Sequence, residues 1–287
     1  MATLSPVALH RLRPAALVLG ASFLLAGCAG QAEANGLPSQ PGVTNHTGRI
    51  IDLWNYSWLA AIITGVITLA LILWAVTVYR KRKGDEKLPT QTRANVPLEL
   101  MYVAVPLLML AVLFRWTATD VAIVQDVSGD ADVHIQAIGK QWAWDFNYLD
   151  DEAYSVGVQA KLTGKTGVEE TLPNLYLPVN ELVDIQLNSR DVIHSFWVPG
   201  FLFKRDLVPG RTTHVQFIPQ QEGTYQGKCA ELCGEYHSSM LFNVKVVSRA
   251  EYDAYMQSLR DAGQSGSIGL EYSRLQDPEV QPAGGEG

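Results

Sequence analysis

The chain has 287 residues, 47% of them hydrophobic, and a formal net charge of −7 from 22 basic and 29 acidic residues. Its length would allow two ordinary domains, but the apolar residues are gathered into runs, so length overcounts the soluble part. From Asp120 onward 24 acidic residues face 12 basic ones, a balance of −12, which excludes nucleic acid as a natural partner and favours encounter with basic proteins.

Arg11 and Arg13 precede an apolar run from Ala15 to Ala26, and Leu25-Ala26-Gly27-Cys28 follows as a small-residue cleavage site. Residues 1–27 therefore read as a bacterial lipoprotein signal peptide with Cys28 as the lipidated first residue, the alternative being an ordinary signal or a short anchor. Residues 28–49 are poor in large apolar side chains and read as a flexible tether, in which His46 is not a ligand candidate.

Residues 50–119 are expected to form a transmembrane helical hairpin. Ser57 to Tyr79 carries no charge and exceeds the ~20 residues that a hydrocarbon core requires. Leu98 to Thr117 is the second span despite Glu99, Pro106 and Arg115, because a membrane helix tolerates proline and an arginine near its end can reach the interface. Between them Arg80-Lys81-Arg82-Lys83 stays cytoplasmic by the positive-inside rule, which places the remainder of the chain on the outer face.

From 120 to 248 alternation dominates: Val133, Ile135 and Ala137, then Val183, Ile185 and Leu187, then Val215 and Phe217, then Phe242, Val244 and Val246, each interleaved with more polar residues. Period-two runs broken by Gly, Pro and Asn predict half-buried antiparallel strands in a sandwich or barrel, with His134 and His214 on solvated faces. The fold class expected is thus a membrane-anchored all-β protein, a two-helix hairpin followed by a β-sandwich. Residues 249–287 read as a short helix and a disordered acidic tail.

The chemistry is concentrated in Cys229-Ala230-Glu231-Leu232-Cys233-Gly234-Glu235-Tyr236-His237-Ser238-Ser239-Met240. Two thiols, an imidazole and a thioether in one loop make a soft-metal site that leans towards copper, and His194 in Asp191-Val192-Ile193-His194-Ser195 offers a further imidazole. A disulfide or a structural zinc would account for the cysteines, but neither uses both His237 and Met240.

Taken with the aromatic run Gly139-Lys140-Gln141-Trp142-Ala143-Trp144-Asp145-Phe146-Asn147-Tyr148, these motifs resemble subunit 2 of the cytochrome c oxidases over roughly residues 50–248. The resemblance implies a cupredoxin-like copper domain. It implies two copper ions bridged by Cys229 and Cys233, each with one imidazole from His194 or His237, completed by Met240 and the main-chain carbonyl of Glu231. By the same resemblance the Glu231 side chain, with Asp206 nearby, takes part in a magnesium or manganese site at the contact with the catalytic subunit. The resemblance also implies that Trp142 is the entry point for electrons from cytochrome c and that Glu99 lies at the mouth of a proton channel.

The simpler alternatives are solvated carboxylates at Glu231, Asp206 and Glu99, and a packing role for Trp142, which on a regular strand shares a face with Trp144. Asp145 and Asp191 are candidate rim charges. The implied activity is electron transfer from soluble or membrane-bound cytochrome c, through this chain, to haem in subunit 1 of an oxidase that also contains subunit 3. Oxygen chemistry must lie elsewhere, since neither span carries a histidine and no Cys-x-x-Cys-His occurs. A quinol-oxidase subunit would lack the copper ligands, and a tethered copper carrier or a nitrous-oxide-reducing fragment would have no use for Glu99 in a hairpin.

Overall fold

The structure is a computed structural model and describes residues 36–84, 88, 90–161 and 171–270. The expected signal peptide, Cys28 and the tail beyond residue 270 lie outside the described residues.

Two long helices come first, α1 over Thr47–Val78 and α2 over Val96–Val124. At about 1.5 Å per residue they run roughly 48 and 44 Å, well beyond a hydrocarbon core of about 30 Å. Both are long and apolar enough to cross a membrane. They outrun the expected spans at the end that adjoins the sandwich, reaching Thr47 and Val124. There Arg49 of α1 meets the buried carboxylate of Asp120 of α2 at 2.8 Å. Aromatic rings mark both ends of the apolar stretch, as the bilayer interface favours. Trp54 and Trp58 lie edge to face and Tyr56 packs on Trp116 towards one end, while Trp74 packs on Tyr79 at the other.

At the start of α2 the Asn95 side chain accepts the Leu98 amide, and Glu99 returns the favour by accepting the Asn95 amide at 2.9 Å. This reciprocal cap satisfies amides that a helix start leaves without partners.

Ten strands follow: β1 Val133–Lys140, β2 Ala143–Tyr148, β3 Ala153–Ser155, β4 Asn174–Pro178, β5 Val183–Ser189, β6 His194–Val198, β7 Phe203–Leu207, β8 Thr213–Phe217, β9 Gly223–Cys229 and β10 Leu241–Val247. They form two five-stranded sheets, in order β3-β2-β1-β5-β8 and β4-β10-β9-β6-β7. Most neighbours are antiparallel, but β1 pairs with β5 and β4 with β10 in parallel. Ile135, Ala137, Trp144, Phe146, Val183, Ile185 and Leu187 of the first sheet pack against Leu175, Leu177, Phe196, Phe242 and Val244 of the second. The alternation expected for β1, β5, β8 and β10 therefore faces a real core, as a period of two requires.

β2 departs from that pattern, being buried at all six positions. Its outward face is covered by a strap from the C-terminal side. Ser265 bridges to Ala153, and Asn147 exchanges hydrogen bonds with the main chain of Ile268. The described part of the expected tail, up to residue 270, is thus packed rather than loose. Helix α3, Arg249–Asp261, carries the chain to this strap and buries Tyr252, Met256 and Leu259.

The end of the expected tether is ordered in the same way. Val43, Thr44 and Thr47 are buried, Thr44 bridges to Pro219, and Asn45 bonds Ile218 through both its amide and its side chain. His46 accordingly leaves solvent to share a hydrogen bond with the Gln216 carbonyl at 3.2 Å. His134 and His214 remain partly exposed, paired with Asp150 and Asp184.

Candidate metal centre

β6 opens with His194, β9 closes with Cys229, and the loop between β9 and β10 supplies Cys233, His237 and Met240. Pairing of Phe196 with Cys229 brings the two strand ends together, and a short 3-10 turn over His237–Ser239 folds the loop back so that Met240 stands directly before β10. Strand pairing, rather than sequence proximity, delivers the second imidazole.

Cys229 Sγ lies 3.8 Å from His194 Nδ1 and 3.2 Å from the Glu231 carbonyl oxygen. Cys233 Sγ lies 3.5 Å from His237 Nδ1 and 3.8 Å from Met240 Sδ. The two sulfurs are 3.9 Å apart. A disulfide requires about 2.05 Å, so the thiols are free, yet a metal with bonds of about 2.3 Å to sulfur can touch both. His194, Cys229, Cys233 and Met240 are buried and His237 is half-buried. The donor set sorts itself into two halves, each with one imidazole and one further donor, which fits a copper site.

Burial disfavours the charged form of His194, but its Nε2 bond to Asp191 at 2.7 Å and the neighbouring Cys229 outweigh that and raise its pKa. Burial also opposes ionisation of Cys229, and here its own bonds to His194 and to the Ser195 and Glu231 backbone win, lowering its pKa. Cys233 goes the other way, pushed up to about 12 by burial and then by the Cys229 charge. Cys229 is thus the easier of the two thiols to ionise. The other holds its proton until a metal takes its place.

Asp191 is not a free rim charge. It accepts the Gln141 and Val192 amides at 2.7 Å each as well as bonding His194. A carboxylate on the far nitrogen fixes the ring so that Nδ1 faces the sulfur, the arrangement commonly found behind metal-bound histidines. Asp145 is not at a rim either. It is fully buried and paired with Lys140 and Arg190, because the strap covers the face on which it stands.

Trp142 sits in the two-residue turn that joins Lys140 to Ala143, so strand periodicity does not govern it. Trp144 points into the core, whereas Trp142 is half-buried and packs edge-on against Tyr236 of the metal loop at 4.9 Å. The turn is fastened to that loop by Gln141, whose side chain donates to the Cys233 carbonyl. Gly234 lies beneath it at φ +128°, where a Cβ would come within 3.1 Å of the Trp142 ring. The side chains of Glu231 and Asp206 belong to exposed residues on the metal loop and on β7, and only the main-chain carbonyl of Glu231 joins the converging donors. Lys140, Gln141 and Arg190 carried no signal in the sequence, since their partners are brought to them only by the folded hairpin and strap.

The family model for the periplasmic domain of cytochrome c oxidase subunit II matches residues 133–247, which is the sandwich from β1 to β10. A curated relative from Streptomyces avermitilis, "Probable cytochrome c oxidase subunit 2", is 41% identical over 81% of this chain and 81% of its own length. The chain belongs to the cytochrome c oxidase subunit 2 family. Cytochrome c oxidase subunit 2 of Mycobacterium tuberculosis is 31% identical over 88% of this chain and 83% of its own. Among solved structures, the periplasmic domain of subunit II of cytochrome oxidase from Bradyrhizobium japonicum is 31% identical, covering 47% of this chain and 97% of that one with a TM-score of 0.43. Within this oxidase family the chain combines two apolar helices with a two-sheet β-sandwich, and its His194, Cys229 and Cys233 donors cluster within 4.8 Å.

Proposed function

We propose that this chain is the electron-accepting subunit 2 of a respiratory cytochrome c oxidase. Electrons from cytochrome c enter at a dinuclear copper centre and pass to haem in the catalytic subunit, where oxygen is reduced to water. The observation that carries this reading is the division of donors around two thiols 3.9 Å apart, His194 and the Glu231 carbonyl beside one, His237 and Met240 beside the other. Bound there, a copper pair supplies a one-electron centre whose charge is shared between two metals.

The chain's own residues do the rest. Asp191 holds the His194 ring in one tautomer and orientation. β6 and β9 fix donors from separate loops, so little has to move when charge arrives. Trp142, seated on the metal loop through Tyr236 and Gly234, offers the electron entry. Tyr236 in contact with it, and Val192, Ile193 and Leu232 on the two ligand loops, are exposed apolar side chains, with Glu231 and Glu235 close in sequence, the composition of a partner site for a basic protein. In this reading α1 and α2 make the chain multi-pass in the bacterial cell membrane, with the copper domain outside and Cys28 lipidated on the same side. Subunits 1 and 3 are its neighbours, Glu231 and Asp206 help hold magnesium or manganese at their contact, and Glu99, whose carboxylate caps α2, lies at a proton entry.

Electron paramagnetic resonance of the full chain loaded with copper tests the proposal. An unpaired electron coupled equally to two copper nuclei is expected, at two coppers per chain. A single-copper spectrum, or no uptake, rejects it.

A further inference from the structure

Behind the metal loop three charged side chains lie buried together and contribute neither to the donor set nor to the surface. Lys140 Nζ is 2.7 Å from Asp145 Oδ1, and Arg190 Nη1 is 3.0 Å from Asp145 Oδ2, with the side chains 3, 0 and 3% exposed in that order. Asp145 also accepts the Gly157 amide, and Arg190 Nη2 donates to the Gly269 carbonyl in the strap. We propose that Lys140, Asp145 and Arg190 are positioning residues for electron entry, clamping the Trp142 turn to the loop that presents His194. This inference rests on the electron-accepting reading above.

Stability is a weak reason for such a triad, because a buried ion cluster is commonly matched or exceeded by apolar side chains of the same volume. Its location is more telling. Lys140 is the last residue of β1 before the Gln141-Trp142 turn, Asp145 stands on the returning strand, and Arg190 immediately precedes Asp191. The Arg190 amide donates to the Gly139 carbonyl, and a Cβ on Gly139 would approach the His194 ring to 3.0 Å. From the clamp, two routes lead to the centre. One is Asp191, which bonds both the Gln141 amide and His194. The other is the Gln141 side chain, which bonds the Cys233 carbonyl.

The triad therefore fixes the spacing between hairpin and ligand loop at the point from which both leave the sheet. Electron tunnelling falls exponentially with distance, so slack at this point reaches the entry rate even with every copper ligand in place. The strap, anchored by Asn147 and Ser265, keeps water from the three charges and so keeps their attraction strong.

The test uses the full chain in detergent, metal-free and copper-loaded. Single removal of Asp145 leaves two cations buried and risks the fold, so the informative variant is K140M/D145N/R190M, which leaves no charge unpaired and keeps an acceptor for Gly157. It is expected to fold and to keep the two-copper resonance. Hydrogen exchange at the Gln141 amide, which donates to Asp191, should accelerate in both forms, and electron uptake from reduced cytochrome c should slow about tenfold or more, the scale of a small misplacement. K140R, which retains the pair with Asp145, should behave as the unaltered chain. Unchanged exchange or an unchanged rate in the triple variant overturns the proposal. So does failure of that variant to fold, which would show that the triad holds the sandwich rather than the turn. Because exchange is read without metal or donor, it stays informative if the unaltered chain shows no two-copper spectrum, the separate result that defeats the functional reading.

Discussion

Asp191 shows how much one carboxylate can organise. It spans the hairpin amide of Gln141 and the ring of His194, so Asp191→Asn keeps the size but removes the charge that favours Nε2–H and leaves Nδ1 for the metal. Loss of such a partner typically weakens metal binding 10–100-fold. Competition against a copper chelator should therefore show a fall of about that size for Asp191→Asn, with the fold intact. The two cysteines set the pH dependence. With its pKa raised to about 12, Cys233 still carries its proton at neutral pH, whereas the lowered Cys229 ionises first. Metal uptake must displace the Cys233 proton, and any proton that His194 or Cys229 still holds, so affinity should climb by about tenfold or more per pH unit through the neutral range and fall correspondingly towards acid. Titrations at pH 6, 7 and 8 with proton release measured alongside check the sign. An affinity flat across that range would mean that Cys233 is already ionised.

Among the elements, α3 looks from sequence like an appendage after the sandwich, yet it acts as a wedge under β3 and β4. Tyr252 and Met256 are fully buried, Tyr255 stacks on Tyr176 at 3.7 Å, and Tyr252 donates to Asp151. Met256→Ala should cost about 2–5 kcal/mol, the usual penalty for a cavity left by a buried methionine. Thermal unfolding of the copper-loaded chain measures it, and a loss well under 1 kcal/mol would show that α3 can detach. The strands flanking the core were legible because each has one wet face and one dry face, and the hairpin's helices because nothing but apolar residues can fill a bilayer. β2 was not legible: its Asp145 and Asn147 look solvent-facing until the strap over residues 264–269 covers them. For Trp142 the period-two alternative, a packing role on the face of Trp144, does not apply, because the chain turns at Gln141-Trp142 and periodicity stops there. Long-range covers and two-residue turns leave no periodic trace. The donors of the metal loop, in contrast, carry their chemistry in their spacing, and only the strand pairing that brings His194 to Cys229 had to be supplied by the fold.

At the scale of the whole molecule, charge and membrane act together. The acidic part from Asp120 onward carries twelve more negative than positive residues, while the basic Arg80-Lys81-Arg82-Lys83 run is confined to the connection between α1 and α2. With α1 and α2 in a bilayer as proposed, this separation would put a negative field on the side that carries the metal loop and the compensating charge across the bilayer. A field of that sign raises the encounter rate with a basic donor by long-range steering, and salt screens it over a Debye length of about 10 Å at 0.1 M. The apolar contacts around Trp142 are short-ranged and escape that screening. The bimolecular rate of reduction by a basic cytochrome c should therefore drop steeply between low and physiological ionic strength, while the electron-transfer step inside the docked pair stays nearly constant. Stopped-flow reduction of the membrane-embedded, copper-loaded chain over a salt series separates the two quantities. A bimolecular rate indifferent to salt would assign docking to the apolar patch alone, and the excess carboxylates would then serve only to keep the outer domain solvated.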